Sequence, residues 1–382
     1  MRDVPNPQKP WVFLCGDTLR NAGIRHRAWL FARALETAGE SCRVCFPAEP
    51  EERIRLWEQG NRFDKAVYLA RCWLRLLLAL RHVPGARAVF IRGRMFPYGP
   101  PLLEWLAGLL NPRIMFDVDD AVWEPPAFVS SPFVRFQDRK WAARMCRISR
   151  VAIAGNRLIA AYLRDHGGRG VRVIPTCVDM ERFPVRERPT KKPGEPIIVG
   201  WIGSRDNLGY LRSVGDALAR TAQRYPIRLL AVSNGHFEWP GLEVENRPWS
   251  LEREPDDLHE MDIGIMPLDD TPRARGKCAF KALLCMAAGM PVILSPVGMN
   301  REVVEHGQSG FLAATPEEWE RYLEMLCGDA ELRAEMGRRA RDRIERDYSI
   351  HAHLPRFHEA LRETAGELPV KEEWDGLASP AQ

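Results

Sequence analysis

Short apolar segments alternate along this chain with longer segments of helical periodicity. Segments such as "WVFLCG", "RIMFDVDD", "IIVGWIG" and "PVILSPVG" are nearly continuous in apolar residues, and helical segments such as "RHRAWLFARALETAG" lie between them. A strand of this composition is buried on both faces, which is typical of a parallel sheet covered by crossover helices. The alternation recurs on both sides of "PVRERPTKKPGEP". The pattern therefore predicts two doubly wound, Rossmann-like α/β domains in tandem.

The same pattern predicts the domain boundaries. We expect a first domain over residues 1–183, a linker over 184–196 and a second domain over 197–350. A C-terminal helix over 351–366 and a loose tail over 367–382 would follow. The length of 382 residues suits two domains. Ligands of doubly wound folds bind beyond the carboxyl ends of the strands, so we expect a central cleft lined by loops from both domains.

Charge is divided unevenly along the chain. Residues 1–185 carry 29 Lys and Arg against 18 Asp and Glu, although the whole chain has a net charge of only +4. One interpretation is attraction between the domains together with a solvated, arginine-rich surface. The other is a first domain that contacts an anionic membrane or an acceptor. Neither finger spacing nor an aromatic RNA-binding pattern accompanies the charge, so a nucleic-acid partner is not expected.

The apolar runs and the cysteines of the chain indicate its cellular compartment. The apolar run after the polar start is only five residues long, and no run approaches the ~20 residues of a spanning helix. The nine cysteines are odd in number and irregularly spaced, as in reduced cytoplasmic proteins. Cys42 and Cys45 form a CxxC pattern, but in a strand they would point to opposite faces. We therefore predict a cytoplasmic protein without a metal site, which contacts the inner face of the membrane peripherally if at all.

Three glycine-containing loops occupy matching positions after apolar strands. They are "RNAGIR" with Gly23, "GWIGSR" with Gly203 and "SPVGMNRE" with Gly298. The dinucleotide fingerprint GxGxxG, the Walker loop and the GxSxG elbow do not occur, which argues against nicotinamide and P-loop chemistry. Glycine is common in any strand-to-helix turn, but three such loops together favour a site where backbone amides bind phosphate.

One long segment carries a family resemblance. "GKCAFKALLCMAAGMPVILSPVGMNREVVEHGQSGFL" resembles the nucleotide-sugar domain of the family 4 glycosyltransferases, the group 1 enzymes with the GT-B fold. "IIVGWIGS", "FDVDDAVW" and "VIPTCVDMERF" resemble the family more weakly. The resemblance implies a GT-B fold whose C-terminal helix crosses back to the first domain. It also implies that a sugar passes from a nucleotide diphosphate sugar to an acceptor hydroxyl with retention of configuration, without a required cofactor or metal.

The chain departs from the family at its most characteristic positions. The family's two glutamates, separated by seven residues, correspond to Lys277 and Leu284, and a leucine cannot hold ribose hydroxyls. The family's phosphate-binding arginine and lysine correspond to Ser204 and to Asn207 or Leu208. Two alternatives to a transferase therefore stay open: a related GT-B enzyme such as a nucleotide-sugar 2-epimerase, or a catalytically silent subunit that binds a partner glycosyltransferase.

Lys277 and Lys281 suggest how a diphosphate could still be bound. We expect the two lysines one turn apart on one helix face, near a helix N-terminus whose dipole disfavours cations. A bound diphosphate, also contacted by Arg205, would outweigh that cost. The alternative is that both lysines are solvated surface residues.

The predicted site residues follow from these motifs and from the resemblance. Donor binding is expected at Gly23, Gly203, Ser204, Arg205, Lys277, Lys281, Gly298 and Glu302, and catalytic roles at Asp119, Asp120 and Lys277. For Asp119 and Asp120, acid–base or acceptor-orienting chemistry and simple capping of the next turn are equally supported. His26 is a weaker candidate, since a lone histidine is usually structural. The acceptor would be a glycan, a lipid-linked molecule or a small molecule.

Overall fold

The computed structural model describes residues 9–125, 137–185, 191 and 194–371, and the chain divides into two compact units. Among these residues, unit 1 comprises 9–125, 137–177 and 353–371, and unit 2 comprises the rest of 178–352. Most of the predicted linker and of the predicted C-terminal tail lies outside the described residues. Within them, no helix is long and apolar enough to cross a membrane.

The chain passes from unit 1 to unit 2 at Val178, earlier than the proline-rich segment suggested. The backbone N–H of Val178 donates to the carbonyl oxygen of Tyr348 at 2.8 Å, and the N–H of Ile350 donates to the carbonyl oxygen of Val178 at 3.1 Å. This pairing attaches residue 178 to the end of unit 2. A change of composition in the sequence cannot reveal such a contact, because its partner lies about 170 residues away.

Unit 1 is built on a six-stranded parallel sheet in the order β2-β1-β3-β4-β5-β6. The strands are β1 (Trp11–Cys15), β2 (Cys42–Cys45), β3 (Val89–Arg92), β4 (Ile114–Val118), β5 (Val151–Ala154) and β6 (Val171–Val173). Every residue of β1, β3, β4 and β5 is buried, as the apolar segments predicted. The strand order reverses between β1 and β3, which makes the unit doubly wound.

Helices cover this sheet. They are α1 (Ala22–Ile24), α2 (Leu30–Thr37), α3 (Pro50–Glu52), α4 (Arg62–Ala79), α5 (Leu102–Leu110), α6 (Trp141–Cys146) and α7 (Arg157–Asp165). A π-helical turn (Arg25–Trp29) joins α1 to α2. Side-chain caps set three of the starts: Asn21 accepts from the N–H of Ile24 at 3.3 Å at α1, Asn61 and Asp64 form a capping box at α4, and Asn156 accepts from the N–H of Ile159 at 2.9 Å at α7.

Unit 2 contains a second parallel sheet, in the order β12-β11-β10-β7-β8-β9. The strands are β7 (Ile197–Ile202), β8 (Ile227–Val232), β9 (Val244–Arg247), β10 (Ile263–Met266), β11 (Val292–Leu294) and β12 (Gly310–Leu312). The sequence pattern missed β12, because its short apolar run follows directly on the polar, glycine-containing stretch "EHGQSG".

The helical segments that follow β7 complete the chain, and the last of them passes from unit 2 into unit 1. They are a 3-10 helix (Arg205–Val214), α8 (Gly215–Ala222), α9 (Glu254–Glu260), α10 (Pro272–Arg275), α11 (Phe280–Ala287), α12 (Asn300–Val303), α13 (Pro316–Gly328), α14 (Ala330–Asp347) and α15 (Ile350–Ala365). The helical segment from residue 316 to residue 347 is divided at Asp329. That residue is extended, and its Oδ1 accepts from the N–H of Leu332 at 2.8 Å, which caps α14.

From residue 353 onward, α15 belongs to unit 1, which confirms the predicted return of the C-terminal helix. The ring of Phe357 stacks on Phe31 with a centroid distance of 4.2 Å and meets Phe90 edge-on at 5.2 Å. Farther along the helix, Glu363 forms a buried ion pair with Arg172 at 2.7 Å. The C-terminal helix is therefore part of the core of unit 1.

Replacing Phe357 by alanine should destabilise unit 1 strongly. The side chain is 1% exposed and leaves a cavity among aromatic rings, which typically costs about 3–5 kcal/mol. Urea unfolding followed by circular dichroism measures the change. The control His351→Ala, at an exposed position of the same helix, should change stability by no more than about 0.5 kcal/mol. Equal effects of the two substitutions would contradict the packing of α15 in the core.

Candidate functional site

The strand order of unit 2 reverses between β7 and β10. β7 pairs in parallel with β8 on one side and with β10 on the other. Connections that leave the carboxyl ends of β7 and β10 therefore diverge, and such a reversal is where doubly wound sheets bind ligands. Gly203, Ser204 and Arg205 follow β7 at this edge, and Lys277 and Lys281 lie in the connection that follows β10.

Lys281 lies in the first turn of α11 and reaches the loop after β7. Its Nζ lies 4.5 Å from the ring centroid of Trp201. A Cβ atom added to Gly203 would lie 2.2 Å from this Nζ and 2.7 Å from the Trp201 ring, closer than real Cβ atoms approach. The residue at 203 must therefore lack a side chain for the ammonium group to occupy this position. The result is a positive charge held directly against the backbone at the carboxyl end of β7.

Lys277 precedes α11 and does not lie within it. α11 begins one residue after Ala279, a non-glycine residue in the left-handed region with φ +50°. The expectation that Lys277 and Lys281 lie one turn apart on the same helix face is therefore wrong. The Nζ of Lys277 donates to Oδ1 of Asn207 at 3.2 Å and lies 5.7 Å from the ring centroid of Tyr210. Each lysine thus contacts the segment after β7 separately.

Asn207 connects Lys277 to Ser204. The Nδ2 of Asn207 donates to Oγ of Ser204 at 2.7 Å, so its Oδ1 is directed at the lysine. Residues three apart eclipse each other in a 3-10 helix, and Ser204 is the residue that precedes one. Sequence reasoning placed Asn207 only at the position of a family lysine, and the serine–asparagine spacing was the signal that could have identified the contact. The neighbouring Arg205 is exposed.

The loop after β11 packs beside the segment that carries Lys277. Gly298 has φ +53°, and a Cβ atom there would lie 2.4 Å from the carbonyl oxygen of Arg275, two residues before the lysine. Glycine is therefore required both by its conformation and by close backbone contact. Glu302 follows in α12, and its carbonyl oxygen accepts from Nη2 of Arg343 at 2.7 Å. The structure thus brings Gly298 next to the lysine segment and holds the backbone of Glu302 in place.

Leu284, which the resemblance aligns with the family's second glutamate, is buried on α11 with 2% exposure. Its side chain belongs to the apolar interior of the unit. Leu284 therefore serves packing, and it offers no polar group to a ligand.

The predicted acidic residues of unit 1 lie in a network of buried charges. Arg27 and Asp117 are 2% and 1% exposed and form an ion pair at 2.5 Å, with a second contact from Nε of Arg27 at 2.8 Å. Arg92, at the end of β3, contacts Asp117 at 3.0 Å and Asp119 at 2.5 Å. Two arginines thus face two carboxylates at the carboxyl edge of the unit 1 sheet.

This network fixes the charge state of Asp119. Burial raises the pKa of the Asp119 carboxyl, but the guanidinium groups of Arg92 and Arg27 outweigh it, so the pKa lies below its ordinary value of 3.8. Clustered carboxylates ordinarily raise each other's pKa, but the pKa of Asp119 is lowered because its closest charged contact is a cation. Asp120 is half-buried, and its backbone oxygen accepts from the N–H of Val122 at 2.7 Å in the next turn.

Gly23 and His26 have structural surroundings within unit 1. A Cβ atom at Gly23 would lie 2.2 Å from Nη2 of Arg92, whose Nε donates to the glycine carbonyl oxygen at 3.3 Å. His26 is buried, with its Nδ1 at 2.9 Å from the carbonyl oxygen of Cys177. Donor binding by Gly23 stays a prediction. Throughout the part of the chain that the structure describes, no three His, Cys, Asp or Glu side chains are grouped to hold a metal ion.

Known proteins resemble this chain in one segment and in the fold. The sequence model of the family "Glycosyl transferases group 1" matches residues 279–343, and no curated protein matches the chain in sequence. Sucrose-phosphate synthase from Thermosynechococcus elongatus superimposes with a TM-score of 0.65 at 15% identity, covering 94% of this chain and 100% of that one. HepE from Anabaena, in complex with UDP-glucose, superimposes with a TM-score of 0.63 at 14% identity, covering 94% of this chain and 99% of that one. A glycosyltransferase from Rickettsia africae superimposes with a TM-score of 0.62 at 14% identity, covering 93% of this chain and 98% of that one.

The protein has the GT-B fold, and residues 279–343 are similar in sequence to the group 1 glycosyltransferases. In this GT-B protein the matched segment begins at Ala279, so it includes Lys281, Gly298 and Glu302. Lys277, Gly203 and Ser204 lie outside it. The lysine–glycine contact at the end of β7 therefore joins the matched segment to a part of unit 2 for which the family model gives no information.

The GT-B protein should show an Asp119-dependent loss of stability in acid. A carboxyl whose pKa is lower in the folded than in the unfolded chain stabilises the fold fully above the unfolded value, about 3.8, and loses this contribution as the pH falls through the folded pKa. The difference in unfolding free energy between the natural protein and Asp119→Asn should therefore be largest near pH 6 and shrink below pH 4. The contributions of all other carboxylates to the unfolding free energy are the same in both proteins and cancel in the difference. A constant difference from pH 6 to pH 3 would contradict the pairing with Arg92.

Proposed function

We propose that this protein transfers a sugar from a nucleoside diphosphate sugar to an acceptor hydroxyl, with retention of configuration. The observation that carries the proposal is the ammonium group of Lys281 held against Gly203, where the strand order of unit 2 reverses. A cation close to the backbone at this edge is suited to an anionic ligand. The match of residues 279–343 to group 1 glycosyltransferases supports a sugar-nucleotide diphosphate as that ligand.

The proposed chemistry requires little beyond charge stabilisation. The bond between the anomeric carbon and the diphosphate oxygen breaks, and a bond to the acceptor oxygen forms on the same face of the sugar. The acceptor proton passes to the departing diphosphate. Negative charge therefore grows on the diphosphate in the transition state, where fixed cations lower the barrier most. We assign this role to Lys281 and Lys277, so that neither a cofactor nor a metal ion is required.

Other residues have supporting roles in this proposal. The amides at Gly203, Ser204 and Gly298 would bind phosphate oxygens, and the exposed side chain of Arg205 would add a third cation. Glu302 would contact the donor sugar. Asp119, ionised beside Arg92, is suited to accept hydrogen bonds from acceptor hydroxyls and is unsuited to act as a general acid. Glycan, lipid-linked and small-molecule acceptors all offer such hydroxyls.

A catalytically silent GT-B subunit is the second candidate. It is favoured by Leu284, which is buried where the family has a ribose-binding glutamate. Slow hydrolysis of a nucleotide sugar by the purified protein distinguishes the two, because a transferase activates its donor even when water is the acceptor. Release of UDP from UDP-glucose supports the enzyme, whereas binding of UDP without any release supports the silent subunit.

A nucleoside diphosphate should stabilise unit 2. UDP is the first ligand to test, since HepE, which shares the fold, was crystallised with UDP and with UDP-glucose. At one hundred times its dissociation constant, a ligand that binds only the folded state adds about 2.7 kcal/mol to the unfolding free energy. Thermal unfolding with UDP, GDP and ADP at millimolar concentration measures the effect. If none of the three raises the melting temperature, the proposed donor site is wrong.

Removing the charge of Lys281 should weaken diphosphate binding selectively. Lys281→Met keeps an apolar side chain on Trp201 but removes the ammonium group, which should cost about 1.5–3 kcal/mol in UDP affinity and leave uridine affinity unchanged. The rate of donor hydrolysis should fall by more than the affinity, because the leaving group gains charge in the transition state. Isothermal titration calorimetry with UDP and with uridine measures the two affinities and so separates binding of the diphosphate from binding of the nucleoside.

Two further variants complete this test. Arg228→Met is the matched control, since Arg228 lies at the amino end of β8, at the opposite edge of the sheet, and its loss should leave UDP affinity unchanged. Lys277→Glu should bind UDP more weakly than Lys277→Ala, because a carboxylate would repel the diphosphate. If Lys277→Glu retains or raises activity, position 277 works as the family's glutamate does, and the proposed cationic role is wrong.

A further inference from the structure

Two helices of unit 1 lie on the same face of its sheet. α4 connects β2 to β3, and α5 connects β3 to β4, so both connections run in the same direction across the strand order. Because parallel crossovers are right-handed, both helices cover the same face. Their carboxyl ends are also joined, since Nδ2 of Asn111 donates to the carbonyl oxygens of Val83 at 3.1 Å and Ala86 at 3.0 Å. The two helices therefore contribute to one surface.

α5 exposes its apolar side. Leu102 is 60% exposed and Leu109 is 84% exposed, and Trp105, Leu106 and Leu110 are also exposed. These positions recur at intervals of three and four residues and form one continuous stripe. An ordinary surface helix turns such a stripe toward the core. This helix leaves it in contact with solvent.

α4 adds large apolar side chains to the same surface. Trp73 is 42% exposed, Leu74 is 52% exposed and Leu78 is 53% exposed. Single exposed leucines are ordinary, but a group of leucines and tryptophans on two helices that cover the same sheet face indicates an interaction site. We call this group, Trp73, Leu74 and Leu78 of α4 with Trp105, Leu106 and Leu109 of α5, the α4–α5 surface.

The segment that contains α4 and α5 is rich in positive charge. Residues 61–113 contain nine Lys and Arg but only two Asp and Glu, and all nine cations except the buried Arg92 reach solvent. The two acids serve the fold, since Asp64 completes the cap of α4, and buried Glu104 accepts from the N–H of Met95 at 2.9 Å and from Nε1 of Trp141 at 3.1 Å. Arg71 and Arg75 pair with Glu52 and are still 53% and 44% exposed. Arg81 and Arg113 are exposed as well.

We propose that the α4–α5 surface docks on an anionic lipid membrane. Exposed leucine and tryptophan flanked by lysine and arginine is the composition of interfacial helices, whose apolar side enters the headgroup region while the cations attract acidic lipids. A symmetric contact with a second copy of the chain would instead place two basic surfaces together. The inference concerns unit 1 and does not depend on the sugar donor.

Vesicle binding tests the proposal. The intact protein is mixed with sucrose-loaded vesicles of phosphatidylcholine alone or with about 30% phosphatidylglycerol, and the bound fraction is measured by sedimentation without any nucleotide. We expect binding to the anionic vesicles, weaker binding to the neutral ones, and release as salt shortens the Debye length from about 30 Å at 0.01 M to about 3 Å at 1 M. Equal binding to both vesicles, or binding to neither, overturns the proposal.

Surface variants locate the contact. Leu106→Gln and Leu109→Gln should each lower the partition coefficient at least about tenfold, because a buried leucine is lost from the interface. Arg113→Gln should lower it about fivefold. Leu158→Gln is the matched control, since Leu158 is a 39% exposed leucine on α7 of the same unit, and it should bind as the natural protein does. If Leu158→Gln weakens binding as much as Leu109→Gln does, the α4–α5 surface is not the docking site.

Measuring the oligomeric state distinguishes membrane docking from a contact between two copies of this chain. Light scattering of the natural protein and of Leu109→Gln is measured without vesicles. A monomer in both cases, together with the expected vesicle binding, supports the membrane. A natural dimer that Leu109→Gln dissociates, without vesicle binding, would identify this surface as a contact between copies and overturn the proposal. UDP binding is measured independently of vesicle binding and of the oligomeric state. A failure of the membrane proposal can therefore be told apart from a failure of the proposed donor site.

Discussion

The central position of β7 is the constraint on which unit 2 depends. Because β7 pairs with β8 on one side and β10 on the other, its carboxyl end opens where the strand order reverses. Gly203 stands at that opening, and Lys281 occupies the volume that a side chain at 203 would fill. The rest of α11 is buried and packs against α14, so the core of the unit fixes the position of the helix that carries Lys281.

Unit 1 has the same topology but a different charge arrangement. Its strand order reverses between β1 and β3, and a glycine, Gly23, again lies against a cation, Arg92. Here two carboxylates, Asp117 and Asp119, compensate the cation. In unit 2, Lys277 and Lys281 contact an amide oxygen and aromatic rings. The proposed function assigns the donor diphosphate to the lysines of unit 2 and acceptor hydroxyls, which can donate to an ionised carboxylate, to Asp119 of unit 1.

Parts of the site lay beyond prediction from the sequence, for identifiable reasons. Segment 276–287 reads as one helix by composition, but the left-handed Ala279 separates Lys277 from it, and only long-range packing can impose that conformation. Asn207 matters through a contact with a residue 70 positions away. On α5 the structure exposes an apolar stripe of the kind that a surface helix ordinarily buries, because periodicity identifies a stripe but not what covers it.

The sequence by itself determined the two α/β units, most of their strands, the resemblance of the matched segment and the basic character of the first half. These properties are carried by local composition and periodicity, which neighbouring residues reveal. The tertiary structure alone decided that Lys281 meets Gly203, that Arg92 keeps Asp119 ionised and that α4 and α5 share one exposed face. Each of these depends on the order of strands within a sheet, which joins residues far apart in the chain and leaves no periodic signal.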